Sequence, residues 1–226
     1  MTEKMIHYSQ DYDTAFDQLP HYKAYPRMRP FVGSQYGRLG DKILMIAESH
    51  YLPTDSTVHM DAERWYAGSE ADLTGEREPR WIHTRGILNK SAGRWRPRGH
   101  TIYRRLEQAL VEAGFPESDN TFKYVAFMNG FQRPAVEGLS LKPHEADLRV
   151  SRDTLNGVVA ALKPDQVIFV SSKARRFLGG QLTVASHGVP HPACAWWFRA
   201  SKRGTGRERF INLVSGLYSE AEVDYS

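Results

Sequence analysis

The chain has a single cysteine, Cys194, among 226 residues. That excludes an intramolecular disulfide and a four-cysteine zinc or iron–sulfur site, and it fits a reducing compartment. Apolar runs long enough to span a bilayer are missing as well, so no membrane partner is expected. The first residues carry Asp11, Asp13 and Asp17 and lack the apolar centre of a signal peptide; the expectation is a soluble, cytoplasmic protein. Internal repeats and low-complexity tracts are absent. His50, His83, His100, His144 and His187 show no zinc-ligand spacing, so neither a metal nor another cofactor is expected. Acidic residues are missing from residues 79–106, although the net charge of the whole chain is only +4.

That stretch instead holds Arg80, Arg85, Lys90, Arg94, Arg96, Arg98, Arg104 and Arg105, with Trp81, Trp95 and Tyr103 between them. Cations interleaved with aromatics suit a surface that binds phosphates and stacks on bases. A second basic stretch comprises Arg199, Lys202, Arg203, Arg207 and Arg209. One such run is most simply a solvated face; two, one of them beside candidate site residues, point to a nucleic-acid partner.

A hydrophobic content of 41% and an aromatic content of 12% are enough for one full core. The simplest organisation is a single domain over residues 1–226. Residues 1–36 read as an N-terminal extension packed by aromatics, and residues 52–99 as a basic insertion or lid within the domain. Residues 42–47, 122–128 and 166–170 read as strands, with a weaker one at 182–185. Apolar spacing predicts helices over residues 100–113, 144–162 and 207–219, with shorter ones at 58–66 and 174–178, and Gly157 weakening the middle of the second. Strand and helix alternate, which argues for a three-layer α/β/α sandwich around a mostly parallel central sheet.

Each strand empties into polar residues, and in such folds ligands bind at the carboxyl ends of the strands. Residues 42–47 deliver Glu48, Ser49, His50 and Tyr51; residues 122–128 deliver Asn129; the loop after the weak strand delivers His191. Taken alone, Asn129 before Gly130 also suits a turn cap, His191 a loop residue, and Tyr51 a core aromatic.

Together these segments resemble the uracil-DNA glycosylase superfamily. Ala47-Glu48-Ser49-His50-Tyr51 occupies the place of its first motif, G-Q-D-P-Y in one branch and G-E-A-P-G in another. Phe127-Met128-Asn129 is similar to the L-L-N segment, and His191-Pro192-Ala193-Cys194-Ala195 to H-P-S-P-L. Ala161-Leu162-Lys163-Pro164, Val167-Ile168-Phe169-Val170 and Lys173-Ala174 resemble the family's strand and following helix. The likeness covers roughly residues 41–197 without the insertion, and the order of the motifs gives it weight. It implies a uracil-DNA glycosylase-like fold and a pyrimidine pocket built by Asn129, Tyr51 and His50. Asn129 would read the O4 and N3 edge, Tyr51 would wall off C5, and His191 would donate a hydrogen bond to O2 of the departing base.

The departures from the pattern are informative. Ser49 replaces a water-activating aspartate, and a hydroxyl is a poor base near neutrality, so either Glu48 or a water held by Ser49 must serve. His50 replaces proline, Ala193 a phosphate-contacting serine, and Ala195 the leucine that enters the DNA stack; Trp196 or Trp197 would be the wedge instead. Arg94, Arg96, Arg98, Arg199, Lys202 and Arg203 complete the expected DNA contacts.

The resemblance therefore implies a monomeric, monofunctional DNA glycosylase that flips out and hydrolyses uracil or a related pyrimidine from single- or double-stranded DNA. A glycosylase for hypermodified cytosine in foreign DNA is one alternative, because the insertion could enlarge the pocket. A catalytically silent DNA-binding module of the same fold is the other.

Overall fold

A computed structural model describes residues 6–91, 95–96 and 99–216. Seven strands occur among them: β1 (Phe31–Val32), β2 (Ile43–Ala47), β3 (Tyr51–Leu52), β4 (Ala126–Asn129), β5 (Ala135–Val136), β6 (Gln166–Phe169) and β7 (His187–Gly188). The first four helices are short: α1 (Asp13–Phe16), α2 (Pro20–Ala24), α3 (Ala62–Ala67) and α4 (Glu78–Trp81). The others are α5 (Thr84–Leu88), α6 (Thr101–Glu112), α7 (Glu145–Leu162), α8 (Ser172–Leu178) and α9 (Gly206–Val214). None of the described helices is long and apolar enough to cross a membrane.

The central sheet runs β1-β4-β2-β6-β7, with β1 antiparallel and the rest parallel. Every residue of β2 and β4 is buried, as expected for parallel strands covered on both faces. Successive side chains point to opposite faces, so Leu44, Ile46, Met128 and Phe169 enter one core while Ile43, Met45, Phe127 and Ile168 enter the other. The first core is closed by Leu155 and Val158 of α7 and Leu178 of α8; the second by Leu106 and Leu110 of α6 and Phe210 of α9. The fold is thus mixed α/β, with helices on both faces of a mostly parallel sheet. From β2 the chain goes first to β4 on one side and later to β6 on the other, which puts the crevice of an open α/β sheet at the carboxyl end of β2.

Several boundaries differ from the sequence expectation. Residues 121–124 form a 3₁₀ turn capped by the Asn120 side chain, so only the end of the expected 122–128 strand joins the sheet. Residues 182–185 are not a strand. The Asn156 side chain of α7 bonds Gln181 O at 3.0 Å and Thr183 N at 2.9 Å, and the sheet gains its last strand two residues later. The N-terminal segment is more than a packed extension, because it supplies the edge strand β1. Gly157 leaves α7 continuous; a Cβ there would lie 2.4 Å from the Leu19 side chain, so the glycine makes room for that contact. The 58–66 helix shortens to α3, which Asp61 caps by accepting from Arg64 N at 2.7 Å. Residues 217–219 of the expected last helix lie outside the described residues.

Candidate active site at the strand ends

The ends of β2 and β4 stay zipped beyond the sheet. Gly130 N donates to Ala47 O at 3.0 Å, Phe131 N to Glu48 O at 2.8 Å, and Ala135 N to His50 O at 2.8 Å. A Cβ on Gly130 would come within 3.1 Å of Ala47 O and Leu178 Cδ1, so this close passage suits glycine. Buried Gln132 holds the same turn from behind, donating to the carbonyls of Asn129 at 2.8 Å and Gly130 at 3.1 Å. Its own amide is tied to Ser151 and its carbonyl to the Trp65 indole. Asn129 is thereby fixed beside Glu48, with no hydrogen bond to its carboxamide among the described residues.

The histidine arrives from the far side of the sheet. Val189 N donates to Phe169 O at 2.9 Å, Arg209 to Gly188 O at 2.8 Å, and Arg105 Nη1 of α6 to Pro192 O at 2.6 Å. His191 Nδ1 accepts the Ala193 amide hydrogen at 3.1 Å, so the neutral ring carries its proton on Nε2. Burial pushes this imidazole below its ordinary range; Glu48 pulls it the other way and Arg105 lowers it further.

Glu48, Ser49, His50, Tyr51, Asn129 and His191 all line one cleft of about 990 Å³, as does Arg96. The opposite wall comes from the insertion and the start of α6, with Arg80, Trp81, His83, Ile87 and Tyr103. Three stretches distant in sequence, residues 48–51, Asn129 and His191, are thus brought together. Their states differ. Ser49 Oγ is buried and has no partner among the described residues. Glu48 is heavily engaged: Ser140 Oγ donates to Oε1 at 2.7 Å, Lys173 Nζ to Oε1 at 3.2 Å, and Ser171 Oγ to Oε2 at 3.3 Å. Tyr51 is 42% exposed on the cleft wall, its phenol raised by partial burial and by Glu48. His50, assigned to the base pocket from sequence, spends its Nε2 on Thr84 Oγ1 at 3.0 Å and holds α5 to the end of β2. Burial lowers its pKa to about 4.

The wedge assignment needs one correction. Trp197 is completely buried against Phe210 in the second core and cannot reach DNA, whereas Trp196 is 51% exposed with the Arg199 guanidinium over its ring. Arg199, Lys202 and Arg203 are exposed, the last two on a turn closed by the Ser201–Gly204 bridge. Arg94 and Arg98 lie outside the described residues. Trp95 and Tyr103 are drawn inward: both pack on Phe122, and the Trp95 indole donates to Glu107 at 2.6 Å, while Tyr103 keeps a place on the cleft wall.

Sequence reasoning missed Lys173, Ser140 and Ser171 as partners of Glu48, Arg105 as the anchor of the His191 loop, and exposed Phe198 beneath Arg105. Lys173 follows a strand end, as the motif residues do, and that was the one signal available. Among the described residues, no three His, Cys, Asp or Glu side chains cluster as a metal site. The chain matches no family model and no curated protein.

Proposed function

We propose that this protein is a monofunctional DNA glycosylase of the uracil-DNA glycosylase type, excising uracil or a related pyrimidine by hydrolysis. The observation that carries the proposal is the convergence of Glu48, Ser49, Asn129 and His191 on one cleft at the crevice of the sheet, with the His191 proton on Nε2. A base inside a duplex cannot reach these groups, so the nucleotide must be extruded; the unstacking cost favours mispaired, damaged or single-stranded targets. Asn129 offers both a donor and an acceptor to the edge of the flipped base. His191 Nε2–H donates to the O2 carbonyl as the bond from C1′ to the base nitrogen breaks and negative charge collects on the base. A water held by Glu48 or Ser49 adds its oxygen to C1′, and its proton passes to the released base. Arg199, Lys202 and Arg203 hold phosphates, and Trp196 fills the vacated place in the stack.

A specific observation also favours a bulkier substrate. The cleft of about 990 Å³ extends to Arg80, Trp81 and His83 of the insertion, which leaves room beyond a bare pyrimidine for a substituted one, such as a hypermodified cytosine.

Single- and double-stranded oligonucleotides containing uracil, hypoxanthine or modified cytosine, scored for abasic product, test the proposal and choose among substrates. Binding without product from any of them would leave a silent DNA-binding module. In the same assay His191→Ala is expected to slow single-turnover release ~100–1000-fold, as loss of a preorganised donor does, with DNA affinity changed less than about threefold. A folded His191→Ala protein with full activity would remove His191 from the mechanism.

A further inference from the structure

We infer that Lys173 is the positioning residue of this cleft, the group that clamps the Glu48 carboxylate and balances its charge beside the departing base; the inference rests on the glycosylase reading. Lys173 and Glu48 are 125 residues apart in sequence, and their side chains are only 23% and 17% exposed. Solvent screens such a pair less than a surface pair. Lys173 Nζ also donates to Ser140 Oγ at 2.7 Å and to the Leu141 carbonyl. Ser140 in turn gives its hydroxyl hydrogen to the same Glu48 oxygen that Lys173 holds. The ammonium therefore fixes the carboxylate directly and through a hydroxyl relay, and ties both to the loop whose Glu137 and Gly138 line the cleft.

The position is unfavourable for a lysine in other respects. Lys173 lies in the first turn of α8, where the helix dipole disfavours a cation. A residue set against a local preference and compensated by specific tertiary partners is characteristic of a site rather than of a scaffold. The chemistry supplies the reason. Among the described charged groups, Glu48 raises the His191 imidazole pKa and Arg105 lowers it. An unbalanced carboxylate there would oppose the negative charge growing on the leaving base, and an unclamped one would let the attacking water wander. Lys173 counters both effects without touching substrate.

The test uses the full chain and an oligonucleotide from which the wild type releases a base. Lys173→Met is expected to slow single-turnover release ~10–100-fold with DNA affinity within about threefold, since a small misplacement near the reacting atoms has that cost. Lys173→Arg should recover much of the rate. In a Glu48→Gln background, Lys173→Met should cost less than about threefold more, because two residues acting as a unit are non-additive. If Lys173→Met does not fold, as judged by circular dichroism and melting, Lys173→Gln serves in its place. A wild-type rate in a folded Lys173 variant, or losses that simply multiply in the double variant, would overturn the role. A wild type that releases no base from any oligonucleotide would overturn the glycosylase reading itself, and the positioning role with it.

Discussion

The two basic stretches are alike in composition and differ in what their cations do. In the first, Arg85 is turned into the fold: it pairs bidentately with Asp13, donates Nε to Pro30 O at 2.9 Å and lies over the Tyr8 ring. Arg105 is spent on the Pro192 carbonyl. The described part of that stretch is largely a wall of the cleft and an anchor for the N-terminal segment, with Arg96 as a cation facing the cleft. In the second stretch Arg199, over the Trp196 ring, and Lys202 and Arg203 are exposed, while Arg207 is paired with Glu112 and Arg209 holds Gly188. A run of like charge therefore does not define an interface. The side that the tertiary partners leave open defines it.

The largest effect expected on the inward side of this contrast is acid sensitivity, carried by buried histidines outside the stretch itself. Burial holds the pKa of His50, bonded to Thr84 next to Arg85, at about 4 against an ordinary 6.5, and that of His21 at about 3. The folded values lie below the unfolded ones, so as pH falls the unfolded chain takes up each proton first. Stability should be unaffected by these groups above about pH 6.5 and fall by ~1.4 kcal/mol per pH unit for each of them below it, until the folded rings also protonate. Urea unfolding between pH 7 and pH 4.5 measures this, and His50→Asn should flatten the slope. An unchanged slope would mean that His50 is solvated.

Next in size is Arg85→Met, expected to cost ~2–3 kcal/mol of stability because it leaves Asp13 partly buried without its partner. It should leave the salt dependence of DNA binding untouched. A flattened salt slope would show that Arg85 reaches phosphate after all and would erase the contrast. Smaller in energy, reversal of Arg199, Lys202 and Arg203 to Glu should weaken DNA binding ~10–100-fold at 0.1 M salt and lower the salt slope by about 2–3, with melting little changed. The smallest effect is that of Arg96→Glu. Titration against labelled duplex should give a loss of about two- to fivefold and a slope change of no more than ~1. If Arg96 outweighs the three exposed cations together, the first stretch is the main phosphate surface.

The sequence by itself determined the elements with strong periodicity: the strands before Glu48 and Asn129, helices α6 and α7, and the layered α/β arrangement their alternation implies. These were legible because burial on both faces demands unbroken apolar runs, and helical packing demands regular spacing. It also determined which residue types stand at the strand ends, since the chain itself carries Glu48, Ser49, Asn129 and His191 to one edge of the sheet. Partners far apart in sequence were decided only by tertiary structure. Lys173 meets Glu48, Arg105 meets Pro192 and His50 meets Thr84, and no local pattern encodes such meetings. The two adjacent tryptophans show the same limit. Composition offers Trp196 and Trp197 equally to core or surface, and the turn at residues 195–197 buries one ring against Phe210 and leaves the other in solvent, because only the fold fixes which way each side chain faces.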